Sequence, residues 1–251
     1  MKKIFLPVLI LSGIFCFVTP LYAAEDTLFH DANAKYQAGD YKAAMSLYQQ
    51  IASSGKATAI VYYNLGNASF RAGNKGAALV AYERARALNP RDRDVEWNKG
   101  VLKNALSDRI EDADDNVFLS SVQRLLEWVT VDEAGVVFSL FLGILFLFSL
   151  LHFIFHKAKP LTGGVAGFFL FLWILSGAVF YFKWLEIRDP RVVVLDREVS
   201  ARYGPSDKET KAFTLHEGAE AKVADQTGDW FYISLKNKNT GWIPKKSCEI
   251  I

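Results

Sequence analysis

Two long apolar runs, residues 134–155 and 161–182, constrain the fold of this chain more than any other feature. Neither run contains a charged residue, and only residues 156–160 separate them. Crossing about 30 Å of hydrocarbon takes roughly 20 helical residues. In lipid, a helix is the form in which each run satisfies its own backbone amides. We therefore predict a transmembrane hairpin, which leaves the flanking domains on the same side of a membrane.

The distribution of lysines predicts which side that is. Lys157 and Lys159 lie in the hairpin loop without an acidic neighbour, which favours a cytoplasmic loop. At the N-terminus, two lysines precede an apolar stretch and then alanines, a pattern typical of a signal peptide over residues 1–23 with cleavage after Ala23 or Ala24. Both flanking domains are then expected in the periplasm. Asp, Glu, Lys and Arg are missing from both runs, which argues against transport by this chain alone.

Composition narrows the classes of partner and cofactor. The formal net charge is +2, which indicates neither a nucleic acid nor an acidic substrate as partner. After removal of a signal peptide, Cys248 would be the one remaining cysteine, so neither an internal disulfide nor a cysteine metal cluster is expected. No residue pattern predicts a cofactor.

A repeat of 34 residues marks the N-terminal part of the chain. Three positions recur after one period, where Gly39, Ala44 and Tyr48 become Gly73, Ala78 and Tyr82. This period and pattern resemble the tetratricopeptide repeat, in which two antiparallel helices form each unit. We predict an all-α domain over residues 25–106, with two repeats and a capping helix that closes the array.

The resemblance implies a groove along the first helices of the repeats. By register, the protein-binding residues are Asn33, Tyr36, Tyr63, Asn67, Phe70, Arg71 and Trp97, flanked by Phe29 and Val101. Family members that grip a C-terminal carboxylate carry lysines where this chain has Phe29 and Asp94, which argues against such a clamp. The aromatic lining favours a peptide or helix as ligand. In the alternative interpretation, Tyr63, Phe70 and Trp97 only pack between helices.

Two further segments flank the apolar runs. Residues 107–133 contain clustered acidic residues and then apolar residues at helical spacing, which predicts a linker followed by an amphipathic helix. Residues 191–251 contain short strand patterns separated by turn residues, which predicts a small closed all-β barrel. The predicted strands are Val192–Leu195, Val199–Tyr203, Ala219–Val223, Trp230–Leu235 and Gly241–Ile243.

The C-terminal segment resembles the bacterial SH3 domain. Gly228-Asp229-Trp230 followed by Gly241-Trp242-Ile243 carries most of this resemblance. It implies a binding groove lined by Tyr203, Trp230, Tyr232 and Trp242, although the two tryptophans can instead be part of the core. His216 is predicted to be a surface turn residue.

The order of these parts resembles the BatE-type proteins of the Bacteroides aerotolerance group. The fold expected is a multidomain membrane protein with an all-α tetratricopeptide-repeat domain, a two-helix transmembrane hairpin and a small all-β SH3-like barrel. The resemblance implies a bacterial inner-membrane location and a role in tolerance of stress. It also implies partners among membrane proteins with von Willebrand A domains in a system with a MoxR-type ATPase.

Three functions compete at this point. The leading hypothesis is a non-catalytic scaffold that holds a partner protein on the repeats at the periplasmic face of the membrane. The second is an envelope sensor whose SH3-like domain binds peptidoglycan peptide. An enzyme is disfavoured because the sequence shows no nucleophile–base pairing, no glycine-rich phosphate loop and no metal cluster.

Overall fold

The computed structural model describes residues 19–55, 57–108, 126–154 and 159–251, with the side chains of all these residues except 19–26 and 159–162. Residues 1–18 of the predicted signal peptide, residues 109–125 of the linker and residues 155–158 at the hairpin loop lie outside the described residues, whereas residues 19–23 belong to the first helix.

The N-terminal part folds into five helices, which we call the repeat domain. Each predicted repeat forms a helical pair, and Gly39 and Gly73, with φ of 79° and 89°, end the first helix of each pair. Glycine adopts this left-handed conformation without the steric penalty of a Cβ. The helices are α1 (Thr19–Gln37), α2 (Tyr41–Ser53), α3 (Ala59–Arg71), α4 (Lys75–Leu88) and α5 (Arg93–Asn104).

The two apolar runs form a pair of long helices, α6 (Val131–Ile154) and α7 (Lys159–Arg188). Both are long and apolar enough to cross a membrane, and most of their side chains are exposed rather than buried in a protein core. They pack through rings, as between Phe138 and Trp173, whose centroids are 5.3 Å apart. Helix α7 continues six residues beyond the predicted end of the second run, as far as Arg188.

Helix α6 begins three residues before the predicted apolar run because Thr130 and Glu133 cap it reciprocally. The Glu133 carboxylate accepts the Thr130 backbone N–H at 3.0 Å, and the Thr130 hydroxyl oxygen accepts the Glu133 N–H at 3.1 Å. This is a capping box. Arg91, in the turn before α5, donates two hydrogen bonds to the same carboxylate at 2.9 and 3.0 Å. The repeat domain and the apolar helices are therefore joined at this point.

Residues 191–251 form an antiparallel sheet, which we call the β domain. Its seven strands follow the order β3-β2-β6-β5-β4-β1-β7. The prediction of a closed barrel was wrong, since β3 and β7 lie at the two ends of this order and do not pair with each other. The strands are β1 (Arg191–Val194), β2 (Glu198–Arg202), β3 (Lys211–His216), β4 (Glu220–Thr227), β5 (Trp230–Ser234), β6 (Thr240–Pro244) and β7 (Cys248–Ile250).

Five of these strands were predicted, and β3 and β7 were not. Alternation along β5 and β6 places Phe231, Ile233 and Ile243 in the core of the β domain. Trp230, Tyr232 and Trp242 occupy the intervening positions and are not part of that core cluster. In β1, by contrast, Val192, Val193 and Val194 are all fully buried. A strand buried on consecutive residues must be covered on both faces.

The second cover of β1 is the repeat domain. Val193 belongs to the same apolar cluster as Leu79 and Leu102, whereas its neighbours in β1 face the core of the β domain. Ion pairs surround this contact, with Lys103 Nζ 2.6 Å from Glu220 Oε1 and Arg84 Nη2 2.7 Å from Glu249 Oε1. The repeat domain and the β domain therefore share a core, a contact that no local sequence pattern predicts.

Residues 216–218, at the end of β3 and in the turn after it, contact the repeat domain. Asp108 accepts both the backbone N–H of His216 and a hydrogen bond with its ring Nδ1, each at 2.7 Å. Glu217 Oε1 accepts the backbone N–H of Gly76 at 2.9 Å, and Gly218 lies against Leu106. The prediction of His216 as a surface turn residue was wrong, since His216 is the last residue of β3 and its contact with Asp108 joins the two domains.

Candidate functional site: the groove of the repeat domain

The site is the face on which α1, α3 and α5 lie side by side, which we call the groove. Two buried tyrosines from the second helices support it. Tyr48 donates its hydroxyl to Asn33 Oδ1 at 2.6 Å, and Tyr82 donates to Asn67 Oδ1 at 2.7 Å. The two pairs are related by the 34-residue period, so one local sequence pattern builds the same support twice.

A second asparagine completes each network. Asn98 Nδ2 donates to Asn67 Oδ1 at 2.9 Å and to the Tyr63 hydroxyl at 3.1 Å. Asn64 Nδ2 makes the equivalent contact to Asn33 Oδ1 at 3.5 Å. Each supporting asparagine comes from the first helix of the following repeat, so the networks fix the register between repeats as well as the orientation of the amide.

Burial keeps the supporting tyrosines protonated. Burial, joined by the neighbouring Tyr63, raises the pKa of Tyr82 far above the ordinary value of a phenol. Burial also raises the pKa of Tyr48, although a hydrogen bond with Asn64 opposes the shift. Both hydroxyls are therefore donors at any physiological pH, and Asn33 and Asn67 are held as acceptors by their Oδ1 atoms.

The consequence for the groove is a directed donor. Because Oδ1 of Asn67 is engaged by two donors, its amide nitrogen occupies the other branch of the side chain. This nitrogen makes no hydrogen bond with the described residues. Asn67 is thus not simply a solvent-facing side chain, since its oxygen is structural and its N–H groups are available to a ligand.

A cavity of about 170 Å³ opens beside this amide. It brings together four of the predicted residues, Tyr36, Asn67, Phe70 and Arg71, with Tyr82, Asn98 and Val101 completing the wall. Arg71 is exposed, donates to the Tyr41 hydroxyl, and has its guanidinium carbon 4.5 Å from the centroid of that ring. The cavity therefore combines apolar rings with a positioned amide and a cation.

The other predicted groove residues lie apart from this cavity. Asn33 belongs to the equivalent network one repeat earlier, and Phe29 packs edge-on against Tyr48 with centroids 6.0 Å apart. Tyr63 is half-buried and supports Asn98, which matches the packing alternative for that residue. Trp97 is 74% exposed and borders a second, open depression on α5, which shares Val101 with the cavity.

The β domain presents a second aromatic surface. The rings of Tyr232 and Trp242 pair across β5 and β6 with centroids 5.1 Å apart, and Trp230 lies on the same side of β5. Tyr203 is 72% exposed, just beyond the end of β2. Among the residues that the structure describes, no group of three or more His, Cys, Asp or Glu side chains is placed to hold a metal ion.

Comparison with known families supports the repeat assignment. Residues 59–92, which comprise α3, α4 and the turn after them, match the tetratricopeptide repeat family. No curated protein matches the chain. The repeats commonly mediate protein–protein interactions and are generally not catalytic.

Proposed function

We propose that this chain is a membrane-anchored scaffold whose groove binds a segment of a partner protein. The observation that carries the proposal is the orientation of the Asn67 amide by Tyr82 and Asn98, beside an apolar cavity and Arg71. Amide N–H groups and a guanidinium are donors that suit the carbonyl or carboxylate groups of a peptide. Phe70 and Tyr36 supply the apolar contact that dominates binding at such sites.

The ligand class follows from the donors. Asn67 and Arg71 both donate, and Tyr36 and Phe70 are apolar in their rings, so the site favours an extended peptide segment with backbone carbonyls or an acidic side chain toward Arg71. Repeats that bind a terminal carboxylate carry lysines at two positions, and this chain has Phe29 and Asp94 there instead. The terminal carboxylate of a partner is therefore not required.

Anchoring by α6 and α7 completes the proposal. Their length and apolar composition support a membrane hairpin, and the lysines of the loop support a periplasmic position for the two soluble domains. The domain order supports kinship with BatE-type proteins. The partner would then be a membrane protein of that stress-tolerance system, with von Willebrand A domains as the first candidates.

The decisive experiment separates donor chemistry from folding. Asn67→Asp keeps an acceptor for Tyr82 and Asn98, removes the two N–H donors and adds a negative charge. Arg71→Ala removes an exposed cation. We expect the double variant to lose the partner in co-purification from membranes while its helical circular dichroism is unchanged. Lys42→Ala, which removes an exposed cation on α2 outside the groove, is the matched control. Full capture by the double variant would contradict the proposal.

The aromatic surface of the β domain supports a second candidate function. Tyr203, Tyr232 and Trp242 offer exposed or half-exposed rings outside the β-domain core, as a peptidoglycan-binding SH3-like domain requires. A sedimentation assay with purified sacculi tests it. Binding lost with Trp242→Ala and retained by the groove variants would make the β domain the working surface.

A further inference from the structure

Gly66 and Gly100 occupy the same position in successive repeats, 34 residues apart. A Cβ at Gly66 would lie 2.5 Å from the ring of Tyr82, so that glycine is required by the close approach of α4. A Cβ at Gly100 would meet nothing within 4 Å in the described part of the chain. A glycine within a helix destabilises it relative to alanine, and at Gly100 no packing among these residues explains it.

The surface around Gly100 is also unusually apolar for the end of a helical array. Trp97 is 74% exposed and Val101 is 44% exposed. They border an open depression of about 450 Å³, whose walls are Arg93, Glu96, Trp97, Gly100, Val101 and Asn104. On α3, four of the six equivalent positions lie against Tyr82 or Arg84 of α4, namely Tyr62, Tyr63, Gly66 and Asn67. The exposed face of α5 therefore corresponds to the face of α3 that α4 covers in the preceding repeat.

The occupied copies define the helix that fits. Helices α2 and α4 each place a buried alanine and then a buried tyrosine four residues later, Ala44 with Tyr48 and Ala78 with Tyr82. The Tyr82 hydroxyl needs Asn67 as its acceptor. One period later the acceptor is replaced by Val101, which cannot accept a hydrogen bond. The ring that fits beside Gly100 is therefore phenylalanine rather than tyrosine.

A charge completes the pattern. In α4, the guanidinium of Arg84 lies over the ring of Tyr62, 5.9 Å from its centroid. One period later, Tyr62 is replaced by Glu96, whose side chain is 63% exposed and has its Oε2 2.9 Å from Lys99 Nζ. A cation two residues after the aromatic residue would therefore meet a carboxylate on the α5 face, where α4 meets a ring.

The chain does not carry this pattern in its own next segment. Asp112 and Asn116 stand 34 residues after Ala78 and Tyr82. Asp108, four residues after the end of α5, is held to His216 of the β domain by both carboxylate oxygens. We propose that the exposed face of α5 receives an amphipathic helix from a partner protein. This helix would have a small residue, a phenylalanine four residues later and a cation two residues after that.

A synthetic probe tests the proposal without knowledge of the partner. The probe is a fluorescent peptide of residues 75–88 with Tyr82→Phe. It is held helical by a lactam bridge between side chains introduced C-terminal to Arg84. Anisotropy with the full chain in detergent micelles should show saturable binding. The peptide with tyrosine at position 82 should bind about tenfold more weakly, because its hydroxyl would be buried without a partner. The Val101→Asn variant should reverse this preference.

Two variants of the chain locate the binding face. Gly100→Leu should abolish probe binding, and Trp97→Ala should weaken it at least fivefold. Gln50→Leu adds the same side chain on an exposed helix position elsewhere and should have no effect. Should Gly100→Leu unfold the repeat domain, Trp97→Ala and the Val101→Asn reversal still decide the question.

Three results would overturn the proposal. Probe binding that survives both Gly100→Leu and Trp97→Ala would place it elsewhere on the molecule. Binding lost with Arg71→Ala but not with Gly100→Leu would place it in the groove. Self-association of the chain that Gly100→Leu abolishes would make a second copy, rather than a partner helix, the occupant. Because the groove variants are tested in parallel, failure here leaves the proposed function standing.

Discussion

Replacing Gly76 by alanine tests whether the repeat domain and the β domain share a core. Gly76 lies in the first turn of α4, where a Cβ would be 2.5 Å from the carbonyl oxygen of Val194 and 3.1 Å from the Cα of Leu195. Both are backbone atoms and cannot rotate away. The same substitution would also disturb the hydrogen bond from the Gly76 N–H to Glu217, which is 2.9 Å long.

The magnitude follows from opposing effects. Alanine in place of glycine stabilises a helix by about 0.5–1 kcal/mol. Overpacking against a fixed backbone costs roughly 1–3 kcal/mol, and a weakened hydrogen bond to a charged acceptor costs about another 1 kcal/mol. Gly76→Ala should therefore destabilise the contact by a net ~1–3 kcal/mol. Gly100→Ala, the matched control in an open position of α5, should instead stabilise its helix by up to ~1 kcal/mol.

Native-state hydrogen exchange of the full chain in detergent measures both effects. For Gly76→Ala, we expect faster exchange in β1 and in the turn at residues 216–218, with α2 unchanged. For Gly100→Ala, exchange in α5 should be slower and β1 should not change. If the two variants behaved alike, α4 would not lie against β1 as described here.

Four further outcomes are expected. Gly66→Leu should lower the unfolding free energy of the repeat domain by roughly 1–3 kcal/mol in urea titrations, because the leucine side chain would overlap the ring of Tyr82. An unchanged urea midpoint would contradict the repeat register. Burial alone would raise the pKa of Glu83, but the charges of Lys99, Arg86 and Arg191 outweigh it and hold that pKa below the usual range. The free energy of unfolding should therefore decrease as pH falls below about 4. In a Glu83→Gln chain this decrease should be smaller. Burial, followed by the nearby Asp196 charge, raises the pKa of the Cys248 thiol to about 11; iodoacetamide at pH 8 should alkylate it far more slowly in the folded chain than in urea. A reporter that is active only outside the cytoplasm should work after Ile251 and fail at Ala158; the reverse result would invert the membrane topology.

Local periodicity predicted the parts of this molecule that depend on neighbouring residues. The 34-residue repeat located the helical pairs, because Gly39, Ala44 and Tyr48 and their later copies have the same steric roles in both. Hydrophobic length located α6 and α7. Strand alternation located β5 and β6, although it placed Trp230 and Trp242 near the core as an alternative, and the structure puts both outside the core cluster.

The contacts between domains could not be predicted in this way. Glu217 and Gly76 are 141 residues apart, and no local pattern links them. One signal was nevertheless present, since Val192, Val193 and Val194 interrupt the alternation that a half-exposed strand would show. A continuous apolar strand in a sheet that otherwise alternates indicates a second covering element, although it does not identify α4 as that element.

The same limit applies to the groove. Register predicted Asn67, Phe70 and Arg71 as neighbours, and they share one cavity. It did not predict that Asn67 would be held by Tyr82 and Asn98, because an amide network depends on three helices at once. The distinction matters for the choice of variant, since Asn67→Ala would remove the acceptor of a buried hydroxyl and cost about 1–3 kcal/mol, whereas Asn67→Asp keeps an acceptor while it removes the donors and adds a negative charge.

Position relative to the membrane is the last constraint on a partner. Arg91 and Glu133 join the turn before α5 to the start of α6 through two hydrogen bonds, and the shared core fixes the repeat domain against the β domain. With α6 and α7 in a membrane, as proposed, this link would hold the repeat domain near the bilayer surface rather than on a free tether. A partner would then be a membrane protein or one bound at the same surface, because restricted position raises the effective concentration of such a ligand over one in solution. Arg91→Gln should loosen this link, and its effect on partner capture should be larger in membranes than in detergent.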